Sequence, residues 1–298
     1  MTKKHISVCI CSFKRPNLLL CTLESLRNLK TDGLFEYSIV VADNDREESA
    51  RTTVVEFART TTVDVVYCVE PEQNISLARN RAIESAHGDF IALIDDDEFA
   101  DDDWLLLFFR ALDKYKTDGI LGPVKPVFES PPPRWIVQGR FFEKPRRTTG
   151  LRLKWRQTST ANVMIRRQIL EKIERPFRRE FGSGCEDLDF FKRMTELGHT
   201  FAWCDEAIVS EIVPPTRWKQ RYLLRRALLR GRNGAPFDDV FSVIKSMVAI
   251  PLYSLALPFL LLAGRHLFAL YLMKIGDHVG KFFGILGLRV MGEKYLAG

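Results

Sequence analysis

Over its first hundred residues the chain alternates two patterns of apolar and polar positions. "HISVCICSF" (5–13) is apolar or small on both faces, as a strand buried in a parallel sheet requires. "RPNLLLCTLESLRNLK" follows, with Pro16 near a helix start and leucines at amphipathic-helix spacing. The alternation recurs as strand "YSIVVADN", helix "REESARTTVVEFART", strand "VDVVYCVE", helix "NISLARNRAIESAHG" and strand "DFIALID". Elements at this spacing predict an α/β fold of βαβ units wound into a mostly parallel sheet. Ligands of such sheets bind beyond the carboxyl ends of the strands, and "VADND" and "LIDDDE" both fall on that edge.

From Gly119 to Gly150 the periodicity breaks into a proline-rich stretch and a basic, irregular one, the signature of a functional loop. "TSTANVMIRR" then reads as a short strand, "EDLDFFKRMTELG" as a helix ended by Gly198, and "TFAWCDEAIVSEIV" as extended segments. "PPTRWKQRYLLRRALLRG" predicts a basic helix opened by prolines and closed by Gly231. Beyond it, Ser246 to Gly264 carries no charge and is marginally long enough to cross a bilayer, although Pro251 and Pro258 interrupt its backbone hydrogen bonds. With Lys245, Arg265, Lys274 and aromatics around it, the segment predicts helices lying in a membrane interface or forming a shallow hairpin. The alternative is a hydrophobic helical extension packed on the domain or a partner subunit. The expected division is 1–235 (halves 1–118 and 119–235) followed by a hydrophobic helical tail, 236–298.

Charge sharpens this division. The chain has 298 residues and a formal net charge of +6, but up to Trp104 it holds 11 Lys+Arg against 20 Asp+Glu, and beyond it 33 against 18. An acidic half suited to a cation therefore precedes a basic half suited to phosphates or an anionic membrane. The basic stretches contain no nucleic-acid-binding motif, so no nucleic-acid partner is expected. Six cysteines are scattered without a CxxC pair, which points to buried free thiols and suits a cytoplasmic setting. "MTKKHISVCICSF" reads as a first strand, since its apolar part is too short for a signal peptide.

The densest chemistry lies in "LIDDDEFADDD", seven carboxylates in eleven residues. An EF-hand reading fails because Ala100 stands where the loop needs glycine. A strand-end pair, Asp95 and Asp97, holding Mg²⁺ or Mn²⁺ with a diphosphate completing the coordination fits better. Asp96 points away from that pair, towards a ribose hydroxyl. Asp101 to Asp103 sit where the helix beginning "WLLLFFRAL" wants negative charge. On the helix "NISLARNRAIESAHG", Arg79 shares a face with Ile75, Ala82, Ile83 and Ala86. A guanidinium there needs a partner, either a structural carboxylate such as Asp43 or a bound phosphate.

"SVCICSFKRP", "VVADND", "NISLARNRAIESAHGDFIALIDDDE", "ANVMIRR" and "GCEDLDFFKR" occur in the order seen in family 2 glycosyltransferases. Over Ile6 to Gly231 the chain resembles that family's GT-A type, and its "SEIVPPTRWKQRYLLRRALLRG" ending resembles bacterial exopolysaccharide enzymes of the succinoglycan-glucosyltransferase kind. The resemblance implies a UDP-sugar donor lying across the carboxyl edge of the sheet. Ser12, Phe13 and Arg15 would border the base, and Asp43 would accept a hydrogen bond from a uracil N–H. Asp95 to Asp97 would be the metal-binding Asp-x-Asp, with Asp97 the foremost ligand, and Asp187 in "CEDLD" the catalytic base. Read without the resemblance, Asp187 is equally a helix N-cap. Glu186 and Asp189 would orient it or bind acceptor hydroxyls.

Processive members of the family carry Gln-x-x-Arg-Trp; here only "TRWKQR" is found, which favours transfer of a single sugar. Arg217, Arg221 and Arg225 form an i, i+4, i+8 stripe suited to a polyprenyl diphosphate or anionic lipid heads, or simply to solvent. Trp135 and Trp155 are candidates to stack on an acceptor sugar or to serve as buried anchors. The expected protein is an inverting transferase on the cytoplasmic face of the inner membrane, peripheral or monotopic, acting on a polyprenyl-diphosphate-linked glycan for exopolysaccharide or cell-surface polysaccharide. A polyprenyl-phosphate glycosyltransferase, a non-catalytic nucleotide-sugar-binding membrane scaffold and a divalent-metal-binding interaction module are the rival expectations.

Overall fold

The structure is a computed structural model and describes residues 3–171 and 173–288. Its first half follows the expected alternation: β1 (Lys4–Ser12), α1 (Pro16–Ser25), β2 (Phe35–Asp43), α2 (Arg51–Thr60), β3 (Asp64–Val69), α3 (Ile75–Ser85) and β4 (Phe90–Asp95). β5 (Glu98–Ala100) and α4 (Trp104–Tyr115) follow. The stretch from Gly119 is irregular only in its second part, where 140–150 form no helix or strand; its first part is ordered. It forms β6 (Gly119–Leu121), β7 (Val124–Phe128) and α5 (Arg134–Gly139), elements too short to show a period. Then come β8 (Asn162–Arg166), α6 (Glu186–Glu196), β9 (Phe201–Trp203), β10 (Val209–Val213), α7 (Gln220–Gly234), α8 (Val240–Ala263) and α9 (Arg265–Ile285).

Seven strands form the main sheet in the order β3-β2-β1-β4-β8-β6-β9. β1 to β4 are mutually parallel, and β8 runs antiparallel between β4 and β6. A second sheet, β5-β10-β7, stands beside it. Helices cover both faces of the main sheet, which explains why β1 is apolar or small on both faces from Ile6 to Ser12. Ile6, Val8 and Ile10 pack in one core with Leu19, Phe57, Trp104 and Phe108, while Cys9 faces the other core with Ala82, Ile83, Phe190 and Phe191. Trp104 is fully buried, and its indole N–H donates to Asn162 Oδ1 at 2.8 Å. The Asn162 amide donates in turn to the carbonyls of Pro123 and Ala207, so one side chain ties β8 to the segments flanking both sheets. All six cysteines are free thiols.

The register fixes the functional edge. Ser12 lies opposite Asp43 and Cys11 opposite Asp95, so β1, β2 and β4 end at one level. Asp101 to Asp103 do precede α4, with Asp103 at the N-cap, but its side chain makes no capping bond. The main-chain carbonyl of Asp101 accepts from Trp104 N instead, at 3.0 Å.

Gly231 does not close α7, which runs on to Gly234. A Cβ at Gly231 would stand 2.0 Å from the Asp277 carbonyl oxygen of α9. The residue is glycine because two helices touch there, and α9 answers with Gly276, Gly280 and Gly284 at four-residue intervals. α8 and α9 meet at Gly264 and pack on one another, and α8 takes both prolines into a continuous helix.

Candidate active site

The carboxyl edge of the main sheet opens into a cleft of about 470 Å³ between β1, β4, α3, the start of α6 and α7. Asp95, Asp96, Asp97 and Asp187 line it together with Arg15 and Arg79. Six of the nine residues expected in the site are thus brought to one wall space. Ser12, Phe13 and Asp43 are not on that wall.

The crowded carboxylates are held by cations that come from distant parts of the chain. Arg15 Nη1 lies 3.3 Å from Asp96 Oδ1 and 3.3 Å from Asp97 Oδ2. Arg217 bridges Asp97 Oδ2 and Glu211, with 2.9 Å to the latter. Lys144 reaches Glu211 at 3.4 Å. Arg79 pairs with Glu186 of α6 and lies 3.3 Å from Asp95. Charges this deep persist only when paired, and breaking one such pair costs far more than a surface ion pair contributes.

Ser12 is fully buried and donates its hydroxyl to Asp96 Oδ2 at 2.8 Å, so it acts on the cleft through Asp96. Phe13 follows the end of β1 beside Lys14, whose ammonium is 5.4 Å from the ring centre. Asp43 is fully buried and accepts from Ala50 N at 2.7 Å, Asp45 N at 3.1 Å and Tyr67 Oη at 2.9 Å. These bonds fix the loop after β2. They also correct the idea that Asp43 neutralises Arg79: the guanidinium instead reaches the end of β4 and the start of α6.

Burial within the cleft raises the carboxyl of Asp95 against the pull of Arg79. It raises Asp96 to about 7, with Arg15 opposing and Asp97 reinforcing the shift. Asp187 is raised by burial too, with Arg79 the main opposing charge. Beneath them Glu98, buried and directly opposite Glu211 across β5 and β10, is pushed far above the ordinary carboxylate range by burial and by Asp95. Its Oε2 accepts the Asp95 N–H at 3.1 Å and so sets the turn that carries the aspartates.

Asp187 stands in the first turn of α6, after Cys185 in the left-handed region (φ +69°). Cys185, not Asp187, is the N-cap; the Asp187 carboxylate accepts the neighbouring Leu188 N–H, at 2.8 Å. Asp189 turns away to Arg193 at 2.8 Å and Arg178 at 3.5 Å and takes no part in the cleft.

The basic stripe needs correction. Arg217 lies in a 3₁₀ turn, Pro215–Trp218, so it is out of phase with the helix that starts at Gln220. From α7 it is Tyr222, Arg226 and Arg230 that face the cleft, one residue along from Arg221 and Arg225. Arg230 pairs with Asp277 at 2.6 Å; Arg226 is exposed and makes no hydrogen bond or ion pair among the described residues. Trp135 is a buried anchor in a cluster with Ile136, Trp218 and Ala269, while Trp155 leans on Phe237 at 5.9 Å.

Sequence reasoning missed Lys144, Glu98, Glu211 and Arg226 as site residues. Only Glu98 carried a local signal, its place in the acidic run. The others arrive through β5–β10 pairing and the phase of α7.

Among the described residues, three or more His, Cys, Asp or Glu side chains nowhere form a complete metal cage. A Mg²⁺-type site needs less: one or two carboxylates, the rest being substrate phosphate and water. Asp95 and Asp97 meet that requirement. Both face the cleft, and the ion pairs described use one oxygen of each. The donor set therefore fits a hard divalent cation bound together with a diphosphate.

A mostly parallel sheet with a carboxylate cleft on its carboxyl edge, closed by an acidic helix start, defines a GT-A-like sugar-transfer fold. Residues 7–174 match the family described as Glycosyl transferase family 2, and the chain belongs to this family and is a glycosyltransferase. It is 36% identical over 234 residues to the succinoglycan biosynthesis protein ExoM of Rhizobium meliloti (strain 1021), covering 77% of this chain and 74% of that protein. It is 27% identical over 244 residues to the chondroitin synthase of Pasteurella multocida (strain Pm70), covering 70% of this chain and 25% of that one. Among solved structures, S. aureus TarS (residues 1-349) superposes with a TM-score of 0.55 at 16% identity, covering 96% of this chain and 92% of that one. TarS in complex with UDP-GlcNAc gives 0.53 at 16% identity, covering 100% and 99%. The expected fold and enzyme class are borne out.

Proposed function

We propose that the enzyme transfers one sugar from a UDP-sugar to a lipid-linked glycan, with inversion, in exopolysaccharide synthesis at a membrane surface. The observation that carries this reading is the placement of Asp187 in the same cleft as Asp95 to Asp97. Asp187 is bonded to backbone N–H groups and, among the described residues, forms no ion pair, so it is available to accept a proton from an acceptor hydroxyl. Its raised affinity for protons suits that task. Attack from its side, with the leaving group towards the aspartates, inverts the anomeric carbon.

Asp95 and Asp97 would hold Mg²⁺ or Mn²⁺, which would supply positive charge to the donor diphosphate. Arg15 and Arg217 fix the orientation of Asp97, and Ser12 and Arg15 that of Asp96. Asp43, at the level of Ser12, borders the uracil, and Asp96 the ribose. TarS binds UDP and UDP-GlcNAc, and ExoM acts in succinoglycan biosynthesis; both support a nucleotide-sugar donor here. α8 is long and apolar enough to cross a membrane and only 11% of its most apolar window is buried, which supports docking on the bilayer.

The test is a panel of UDP-sugars scored by UDP release, with a membrane lipid extract as acceptor. One donor should release UDP only when the extract is present, and chelation should stop it. UDP release indifferent to both additions would sink the reading, as would Asp187→Asn retaining full activity.

A further inference from the structure

A second cavity, of about 580 Å³, opens beside the catalytic cleft and shares Lys144 with it. Its walls are β7, α5 and the segment after α5, with Val124, Phe128, Ile136, Val137 and Phe142 providing the apolar surface. Val137 is 55% exposed, an unpartnered aliphatic side chain on a concave wall. The rim carries Lys125, Arg140, Lys144 and Arg146 against the single carboxylate of Glu143. Arg140 is engaged by Glu143, Arg146 by Asp205 and Lys144 by Glu211 at 3.4 Å, whereas Lys125 is exposed and makes no hydrogen bond or ion pair among the described residues.

The groove also touches the hydrophobic hairpin. α5 packs against α9, and Trp135 of α5 lies 4.8 Å under the Arg265 guanidinium at the α8–α9 turn. At that turn Leu261 and Leu262 are exposed. The hairpin tip thus lies against the helix that walls the groove, and a cation, Lys144, joins the groove to the cleft.

We propose that this groove binds the isoprenoid diphosphate end of the acceptor. The hydrocarbon lies against Val124, Phe128, Ile136 and Val137, and the diphosphate meets Lys125 and Lys144. An apolar wall under a net positive rim fits an amphipathic anion. A neutral glycan would instead want convergent hydrogen-bonding groups. The inference rests on the lipid-linked acceptor proposed above and adds where its lipid end binds.

Two arms test it on the full-length protein held in amphipol. In the first, farnesyl diphosphate, inorganic diphosphate and UDP are titrated calorimetrically in the presence of EDTA. Farnesyl diphosphate should bind the wild type, weaken at least tenfold in Val137→Glu and at least threefold in Lys125→Glu. Inorganic diphosphate and UDP should be unaffected by Val137→Glu. Equal farnesyl diphosphate binding by the wild type and Val137→Glu would overturn the groove, as would no binding at all.

In the second arm, transfer to a polyprenyl-diphosphate-linked glycan is compared with transfer to the same glycan on a short water-soluble aglycone. The wild type should prefer the lipid-linked form, with Val137→Glu raising KM for that form alone and leaving transfer to the soluble one unchanged. A wild type without preference would overturn the lipid-linked reading. A preference kept intact by Val137→Glu would overturn only the groove.

Discussion

The α/β body and the C-terminal hairpin are built to opposite rules. The body buries Ile, Val, Leu and Phe between sheet and helices and gathers Arg79, Asp96, Asp97, Glu186 and Arg217, all buried, around one cleft. The hairpin shows Leu255 (74%), Phe259 (73%) and Leu262 (88%) to the outside. What it buries is small or polar: Gly276 and Gly280 against α7, Ser246 bonded to His278 at 2.8 Å, and Lys281 on Asp238 at 3.1 Å. Water drives the first arrangement; close backbone packing and polar bonds hold the second, a pattern that also suits helices in an apolar medium. The two meet on α7, whose one side lines the cleft while the other receives the glycines of α9. The hairpin is therefore also a wall support of the site.

The largest expected effect breaks the body alone. Asp187→Asn should lower transfer by about 10²–10⁴-fold, the range of a lost general base, with UDP binding and membrane retention unchanged. Appreciable residual transfer in a single-turnover assay would remove Asp187 from its role.

Next comes the hairpin alone. Replacing Leu255, Phe259 and Leu262 together by Asn removes side chains each worth about 1.5–3 kcal/mol when fully immersed. With about half of that realised at a membrane surface, flotation with liposomes should show a drop in bound protein of roughly a hundredfold in partition, while transfer to a soluble acceptor persists. Unchanged flotation would mean that the exposed face of α8 is covered by protein. Point changes are preferable to removing 239–298, because deletion also strips α9 from α7.

Gly280→Leu attacks the seam between the two regions. Its Cβ would sit 2.1 Å from the Leu228 carbonyl oxygen of α7, so the helices must part, at a cost of about 1–3 kcal/mol. Thermal unfolding should shift downward and transfer should fall with it, through displaced Arg226 and Arg230. A variant as stable and as active as the parent would show that the seam does not support the cleft.

The smallest and most diagnostic effect is that of pH. Asp43, Asp95, Asp96, Glu98 and Asp187 all have raised pKa values, Asp96 to about 7, chiefly through burial. Between the ordinary carboxylate range and these values the native protein holds more protons than the unfolded chain. Stability without metal must then fall as pH rises through that window. Activity runs the other way, because Asp187 must be ionised to act, so its acid limb should lie above the usual carboxylate range. Melting temperatures at pH 6 and 8 with EDTA, beside a pH–rate profile, check both signs. A protein that melts higher at pH 8 would contradict the burial described here.

Much of this was legible in the chain. β1 to β4 and α1 to α4 announce themselves because each is long enough to show its period. Asp95 to Asp97 and Asp187 stand out because strand ends and helix starts are local features. Lys144, Glu211, Arg217 and Arg226 were hidden or misplaced. They serve the site through the β5–β10–β7 sheet, a 3₁₀ turn and the phase of α7, none of which leaves a periodic trace.

The sequence by itself determined the wound sheet, the edge on which its chemistry falls, the acidic run and the apolar tail, since each depends on neighbours within a few residues. Only the tertiary structure decided which cations neutralise that run. It also decided that Gly231 is a helix contact rather than a helix end, and that a second groove adjoins the cleft. Those outcomes depend on pairs such as Arg217 with Asp97 and Gly280 with Leu228, far apart in the chain. No local pattern encodes such pairs, because their geometry exists only once the helices and sheets have packed.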